Sequence, residues 1–154
     1  MINGGAVVER ALSELKLADH MIFVTLPLLN DRMIFLNAVT HVYNGIKMVI
    51  DEFLQKEYRY KRLESIPPDD DKITAFLKNY INRLKLNAYV EAINRIDAFI
   101  RVKAKSSVRL RKDDKFVLIT PDYETVSISE SEIKGYIKKV VGFINNMRSA
   151  LNEG

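Results

Sequence analysis

Apolar residues recur along most of the chain at alternating gaps of three and four, which is the spacing of an amphipathic helix. The pattern predicts a first helix over about residues 7–26, with Pro27 near its end and Asn30-Asp31 as the following turn. It predicts a second helix over residues 32–58, whose apolar positions repeat at heptad-like spacing. The first part of the chain is therefore expected to be two amphipathic helices joined by a short turn.

A third helix is expected after a Pro-Pro pair that stops the second one. Residues 69–71 are aspartates, which suit the positive N-terminal end of a helix dipole. The helical pattern of residues 73–84 loses its phase near Asn87, which we interpret as the N-cap of a separate helix that continues to about Ile100. A single continuous helix with a local irregularity is the alternative interpretation.

The period changes from helical to two beyond Lys105, which is typical of β-strands. Residues 115–120 are rich in β-branched and aromatic side chains, and residues 124–128 form a second such run. Pro121-Asp122 lies between them and is typical of a turn. We therefore expect one β-hairpin at about 115–128, packed on the helices or on a neighbour because a lone hairpin is marginal in water.

The last helix has the clearest start. Ser129 and Glu132 have the spacing of a capping box, in which each side chain accepts a hydrogen bond from the other residue's backbone N–H. Apolar residues then recur at a/d spacing from Ile133 to Leu151. The predicted fold class is mainly α: an antiparallel four- or five-helix bundle with one inserted β-hairpin, in a single domain of residues 1–154.

Composition excludes several classes of site. The 154 residues include no cysteine, which excludes a disulfide framework, a thiolate zinc site and a cysteine nucleophile. The first ten residues have neither the basic nor the apolar region of a signal peptide. The longest apolar stretch, residues 21–29, is shorter than the roughly 20 residues that cross a bilayer. We therefore expect a cytoplasmic protein without a membrane partner.

Linear catalytic motifs are absent: the sequence has no P-loop, no G-x-G-x-x-G, no H-E-x-x-H and no G-x-S-x-G. No catalytic residue, metal ligand or cofactor is therefore predicted, and a binding protein is favoured over an enzyme. An enzyme would need a polar pocket around His20 and His41, which with Asp19 are candidates for an acid–base or metal cluster. Ordinary packing of the histidines is favoured, and for residues 69–71 dipole complementation is favoured over cation binding.

Basic residues supply the main binding candidates. The net charge is +4, yet residues 101–115 carry seven basic and two acidic side chains, a local excess of +5. Segment 56–62 interleaves cations with Tyr58 and Tyr60, as in surfaces that bind phosphate and stack bases. A solvated helix end, where cations complement the C-terminal dipole, also explains that segment. The candidate residues for binding RNA or an acidic partner are Lys56, Arg59, Lys61, Arg62, Arg101, Arg109, Arg111 and Lys112.

Apolar residues outnumber the positions that one helix face can bury. Phe23 and Phe35 have helical spacing and are expected in the core. Residues 21–28 and 33–36, however, hold more apolar side chains than a single stripe uses. A helix that is apolar on several sides is either central or meets another subunit, so we expect a homodimer.

A family resemblance is carried by residues 15–29 (LKLADHMIFVTLPLL), residues 106–119 (SSVRLRKDDKFVLI) and the capped final helix. In layout the chain resembles uncharacterised archaeal helical proteins, and it is broadly similar to the HEPN class of helical bundles. That resemblance implies a ribonuclease or the partner of a nucleotidyltransferase in a toxin–antitoxin pair. Active HEPN ribonucleases carry an arginine, four to six residues and a histidine on one helix. Here eight residues separate Arg32 from His41, so no catalytic residue is carried over.

Two functional hypotheses follow. The leading one is a non-catalytic helical bundle that acts by binding a protein partner or a second copy of itself. The alternative is an RNA- or nucleotide-associated protein of HEPN-like type that uses basic segments 56–62 and 101–115. The oligomeric state tests the first hypothesis, and salt-dependent binding to RNA tests the second.

Overall fold

The structure, a computed structural model, describes residues 4–106 and 108–152, apart from the side chain of residue 108. The chain is mainly helical, at 73%, and the described residues form five helices and a small antiparallel sheet. The first helix, α1 (Gly4–His20), continues without a break through a π-helical turn (Met21–Thr25) and a last α-helical turn (Leu26–Leu29). The others are α2 (Arg32–Arg59), α3 (Lys72–Asn79), α4 (Val90–Lys105) and α5 (Glu130–Asn152).

The sheet has three strands in the order β1 (Val108–Lys112), β2 (Lys115–Ile119) and β3 (Thr125–Ser129). The predicted hairpin corresponds to β2 and β3, which pair antiparallel. The prediction did not include β1, which pairs antiparallel with β2 and is connected to it by a two-residue loop. Three of its five residues are basic, so its sequence resembles a solvated charge run more than an apolar strand.

The long helices α1, α2 and α5 pack on one another around a continuous apolar core. α1 and α2 approach each other closely at Gly45 in α2. A Cβ atom there would overlap the Leu15 side chain and lie 3.2 Å from the carbonyl oxygen of Ala11. The glycine therefore allows α1 and α2 to approach closely, which offsets the roughly 1 kcal/mol that glycine costs in a helix interior.

The sheet packs against the helices through aromatic rings. Phe35 of α2 stacks on Phe116 of β2 with ring centroids 3.7 Å apart and planes within 6° of parallel. The edge of Phe99 in α4 completes the cluster, with its centroid 6.2 Å from that of Phe35. All three rings are buried, so one cluster joins the sheet to two helices.

Two local predictions are confirmed. The helical pattern does break near Asn87, since α3 ends at Asn79 and a 3₁₀ turn at Asn87–Tyr89 leads into α4. The prediction that Asn87 is the N-cap is wrong, because Asn87 is the first residue of the 3₁₀ turn, and the N-cap of α4 is Tyr89, without a side-chain cap hydrogen bond. The capping box also forms, because the Ser129 N–H donates to Glu132 and the Glu132 N–H donates to the Ser129 hydroxyl, both at 3.0 Å. The hydrogen bond from the Ser129 N–H is the largest of the effects that lower the pKa of the Glu132 carboxyl.

Of the helices in the described part of the chain, α2 is long and apolar enough to span a membrane by length and composition. Half of its apolar 18-residue window is buried inside the protein, where it contacts α1, α4 and α5. A helix at the centre of a protein core can meet the same criteria of length and composition.

Candidate interaction surface

The π-helical turn at Met21–Thr25 changes the direction in which the end of the first helix presents its side chains. The Leu26 N–H donates to the Met21 carbonyl, one residue further back than in an α-helix. Pro27 follows directly, and in a regular α-helix its ring would clash with the carbonyl of Phe23. The wider turn accommodates the proline, which sequence periodicity alone did not reveal.

The turn leaves apolar side chains on both sides of the helix. Ile22 and Leu26 point into the core and are buried. On the outside lies the group that we call the apolar surface, and its side chains are exposed by 44–78%. Its members are Phe23, Val24, Leu28, Leu29 and Met33. The prediction that Phe23 belongs to the core is therefore wrong, since 46% of it is exposed.

The chain reverses direction within this surface. Asn30 adopts the left-handed conformation that ends the first helix, with φ 48° and ψ 38°. Asp31 then caps α2, since its side chain accepts the Met33 N–H at 2.9 Å. The Asn30-Asp31 turn therefore leaves only three residues between Leu29, at the end of the first helix, and Met33, near the start of α2.

Charges of both signs surround the apolar surface. Asp19, one helical turn before Phe23, is exposed, as are the neighbours Asp31 and Arg32. The Lys134 ammonium of α5 lies 5.0 Å from the centroid of the Phe23 ring, a cation–π arrangement. The rim is therefore of mixed charge around an apolar centre, which is the usual composition of a protein–protein interface.

In segment 56–62, Lys56 and Arg62 are occupied by contacts within the protein. Lys56 is buried and donates to the carbonyl oxygens of Ala150 and Leu151 at 3.0 and 3.3 Å, where it caps the end of α5. The Arg62 Nε donates to both carboxylate oxygens of Glu57 at 3.1 Å. These two side chains hold the ends of α2 and α5 in place.

The rest of that segment faces solvent. Arg59 forms an ion pair with Glu52 at 3.2 Å, whereas the Lys61 side chain makes no hydrogen bond or ion pair with any described residue. Tyr58 and Tyr60 are about half exposed, at 48% and 50%. The outer part of the segment thus offers two rings and a free ammonium.

In segment 101–115, Arg101 and Arg109 are engaged at the end of α4. The Arg101 Nε donates to the Asp97 carboxylate at 3.0 Å. Arg109 donates to the Ser106 hydroxyl at 3.4 Å and to the Lys103 carbonyl at 3.3 Å. Arg109 therefore helps to fix the connection between α4 and β1, whereas Arg101 also donates to the Asp70 carbonyl and joins α4 to the turn before α3.

Arg111 and Lys112, at the end of β1, differ from each other. Arg111 donates to the side-chain oxygen of Asn30 and pairs with Glu130 at 3.4 Å. It thereby ties the sheet to the turn before α2. Lys112 is exposed and forms neither an ion pair nor a side-chain hydrogen bond within the described residues.

The two basic segments do not form one surface. Lys56 lies in the last turns of α2, whereas Arg111 contacts Asn30, just before α2 begins. About 25 helical residues separate these points, or roughly 40 Å at 1.5 Å per residue. A ligand that contacts both Lys56 and Arg111 would therefore have to span most of the length of α2.

The histidines do not share a pocket with each other. His41 hydrogen-bonds through Nδ1 to the Glu14 carboxylate of α1, and His20 is exposed at the end of α1. Glu14 lies 27 residues before His41, so local spacing could not indicate the pair. No group of three or more potential metal ligands occurs among the described residues.

The aspartates of residues 69–71 begin the 3₁₀ turn that leads into α3. Asp69 accepts a hydrogen bond from the Lys47 ammonium at 3.0 Å, and this contact lowers the pKa of its carboxyl. Lys72, the first residue of α3, also pairs with Asp69 at 3.5 Å. The cluster therefore joins α2 to the start of α3.

No protein-family model, no curated protein and no solved structure matches this chain.

Proposed function

We propose that the protein is a non-catalytic helical domain that acts by self-association through its apolar surface. The supporting observation is the exposure of Leu28 and Leu29, at 78% and 68%, next to three further exposed apolar side chains. Large apolar patches on a protein surface usually mark interaction sites, because leaving them in water costs free energy. Burial of such a patch between two chains is the main driving force available to this surface.

A second copy of the chain is the occupant that the rim charges favour. A two-fold interface brings each surface against itself, so a rim of one sign would repel its own copy. Asp19 and Asp31 supply negative charge here, and Arg32 and Lys134 supply positive charge. Related by a two-fold axis, acids of one chain can face bases of the other.

Light scattering coupled to size exclusion tests this proposal. We expect the molar mass to rise with concentration toward twice the chain mass of 17.7 kDa. A Leu28→Asp and Leu29→Asp double variant should weaken association at least tenfold, since an unpaired carboxylate buried in an apolar interface costs several kcal/mol. Both leucines are exposed, so the variant should remain folded.

The matched control is Tyr123→Asp. Tyr123 is 87% exposed in the turn between β2 and β3, away from the apolar surface. The Tyr123→Asp variant should associate as strongly as the unmodified chain. A chain that stays monomeric at high concentration, or a double variant that associates as strongly as the control, would refute self-association through this surface.

The second candidate function is RNA binding by a HEPN-like protein, which the exposed part of segment 56–62 favours. Tyr58 and Tyr60 can stack on bases, and the Arg62 guanidinium lies 5.1 Å from the Tyr60 ring centroid. Arg83 adds a cation to the same region, 3.8 Å from Glu57. Aromatic rings beside cations are typical of single-stranded nucleic-acid sites.

Charge reversal at Lys61 and Lys112 tests RNA binding without breaking a side-chain contact within the described protein. We expect the Lys61→Glu and Lys112→Glu double variant to bind a mixed RNA pool more weakly. Its log-affinity should also fall less steeply with log salt, by about one unit of slope for each phosphate that the variant no longer neutralises. Lys138→Glu, an exposed lysine of α5, is the control. No retention of the unmodified chain on RNA at low salt would exclude this function.

We further propose an antiparallel arrangement of the five helices as a bundle, and residence in the cytoplasm. The bundle is supported by the mutual packing of α1, α2 and α5. The cytoplasm is supported by a composition without cysteine, which suits a reducing compartment.

A further inference from the structure

A cavity of about 320 Å³ lies between α2, α4 and β1. This volume is at the lower end of the range for small-molecule sites. Residues at i, i+3 and i+4 of α2 face it, and so do residues at i and i+3 of α4, so each helix presents one face. The lining includes Thr40, Tyr43, Asn44, Ile100, Lys103 and Arg109.

Lys103 and Arg109 bring two positive charges to this cavity without a carboxylate partner. The Lys103 ammonium donates to the Thr40 hydroxyl at 2.9 Å, and the Arg109 bonds go to neutral oxygens. Within the described residues, neither cation has a carboxylate oxygen inside ion-pair distance. Arg101, on the same helix as Lys103, is in contrast paired with Asp97.

Two neighbouring, partly buried cations without an anionic partner cost the protein folding free energy. Removal of an ammonium from water is unfavourable unless an anion or several hydrogen bonds replace the solvent. Burial and then the neighbouring Arg109 lower the pKa of the Lys103 ammonium. A bound anion would relieve both effects, because it would pair with Lys103 and screen it from Arg109.

We propose that this cavity binds the phosphate group of a small phosphate monoester. A phosphate dianion matches the charges of Lys103 and Arg109, and the Asn44 amide lines the same wall of α2 as a further donor. Tyr43 and Ile100 add aromatic and aliphatic surface for the remainder of the ligand. The small volume favours a mononucleotide-sized molecule over a longer chain.

Isothermal titration calorimetry on the full chain at low salt, with three probes, tests the site. Adenosine monophosphate and inorganic phosphate should bind, and adenosine, which lacks the phosphate, should not. Lys103→Met keeps an unbranched side chain one atom shorter than that of lysine and removes the charge. It should weaken the binding of adenosine monophosphate roughly tenfold or more, since a hydrogen bond to a charged group is removed.

The matched control is Lys105→Met, at an exposed lysine two residues further along α4. It should leave the affinity for adenosine monophosphate unchanged. If circular dichroism shows that Lys103→Met is unfolded, Arg109→Gln replaces it with the same expected loss. Unchanged affinity in the folded variants, an equal loss in Lys105→Met, or equal binding of adenosine would each overturn the proposal.

A fourth probe distinguishes whether the bound phosphate belongs to a small ligand or to RNA. A single-stranded oligoribonucleotide should bind no more tightly than adenosine monophosphate at this cavity. Tighter binding of the oligonucleotide that disappears in Lys103→Met would overturn the small-molecule assignment. The cavity is independent of the apolar surface, so the Leu28→Asp and Leu29→Asp variant should bind adenosine monophosphate normally.

Discussion

Phe35→Ala should lower the free energy of unfolding by about 3–5 kcal/mol, the cost of removing a large buried aromatic side chain from a core. Phe35 is fully buried, stacks on Phe116 at 3.7 Å and contacts the edge of Phe99. Its removal would leave a cavity where the sheet meets α2 and α4. For a chain of this size we expect Tm to fall by roughly 6–20 °C.

Phe23→Ala is the control for this effect, because the same atoms are removed from a ring that is 46% exposed. It should cost much less than Phe35→Ala when both are measured by urea unfolding at low protein concentration, where the chain is monomeric. Equal losses for the two variants would show that the Phe35 cluster does not join the sheet to the helices.

Gly45→Val should destabilise the chain by about 1–3 kcal/mol or more, the usual cost of overpacking a core. The new side chain would overlap Leu15 and press on the Ala11 carbonyl oxygen at 3.2 Å, so α1 and α2 would have to separate. Valine has a better helix propensity than glycine, so any loss of stability must come from the overlap.

Gly135→Val isolates the contribution of helix propensity. Gly135 lies on the exposed face of α5, and a Cβ atom there meets no other atom within 4 Å. The substitution should be neutral or slightly stabilising in thermal unfolding. If Gly45→Val were equally harmless, the close approach of α1 and α2 would not need a glycine.

The helices could be predicted from the sequence because their signals are local. The predicted range of α2, 32–58, differs from the observed Arg32–Arg59 by one residue, since Asp31 caps its start and the apolar period continues to its end. The capping box of α5 is equally local, as it depends on Ser129 and Glu132 alone.

Features that depend on distant residues or on backbone hydrogen bonding could not be predicted in this way. The π-helical turn is a change in hydrogen-bond register, and side-chain periodicity does not report it directly. The contact of Lys103 with Thr40 joins residues 63 apart in sequence, so no spacing rule brings them together. The basic residues of 56–62 were found as a charge pattern, but only the structure places Lys56 in the interior.

The surplus of apolar residues correctly indicates exposed apolar side chains in this part of the chain, but it does not identify them. The count over residues 21–28 indicated more apolar side chains than one stripe can bury, and this part of the chain does expose Phe23, Val24 and Leu28. Periodicity could not say which residues would face solvent, because the π-helical turn and Pro27 change the phase at this point.

The measurement closest to the central proposal is an isotope-filtered nuclear Overhauser experiment on a mixture of methyl-labelled and unlabelled chains. Met33 is 44% exposed in the apolar surface, whereas Met147 is fully buried in the core, so the two methyl groups serve as probe and internal control. We expect contacts between chains from the Met33 methyl to the partner's apolar side chains, and none from Met147. The absence of contacts between chains at Met33, at concentrations where the molar mass has doubled, would contradict self-association through this surface.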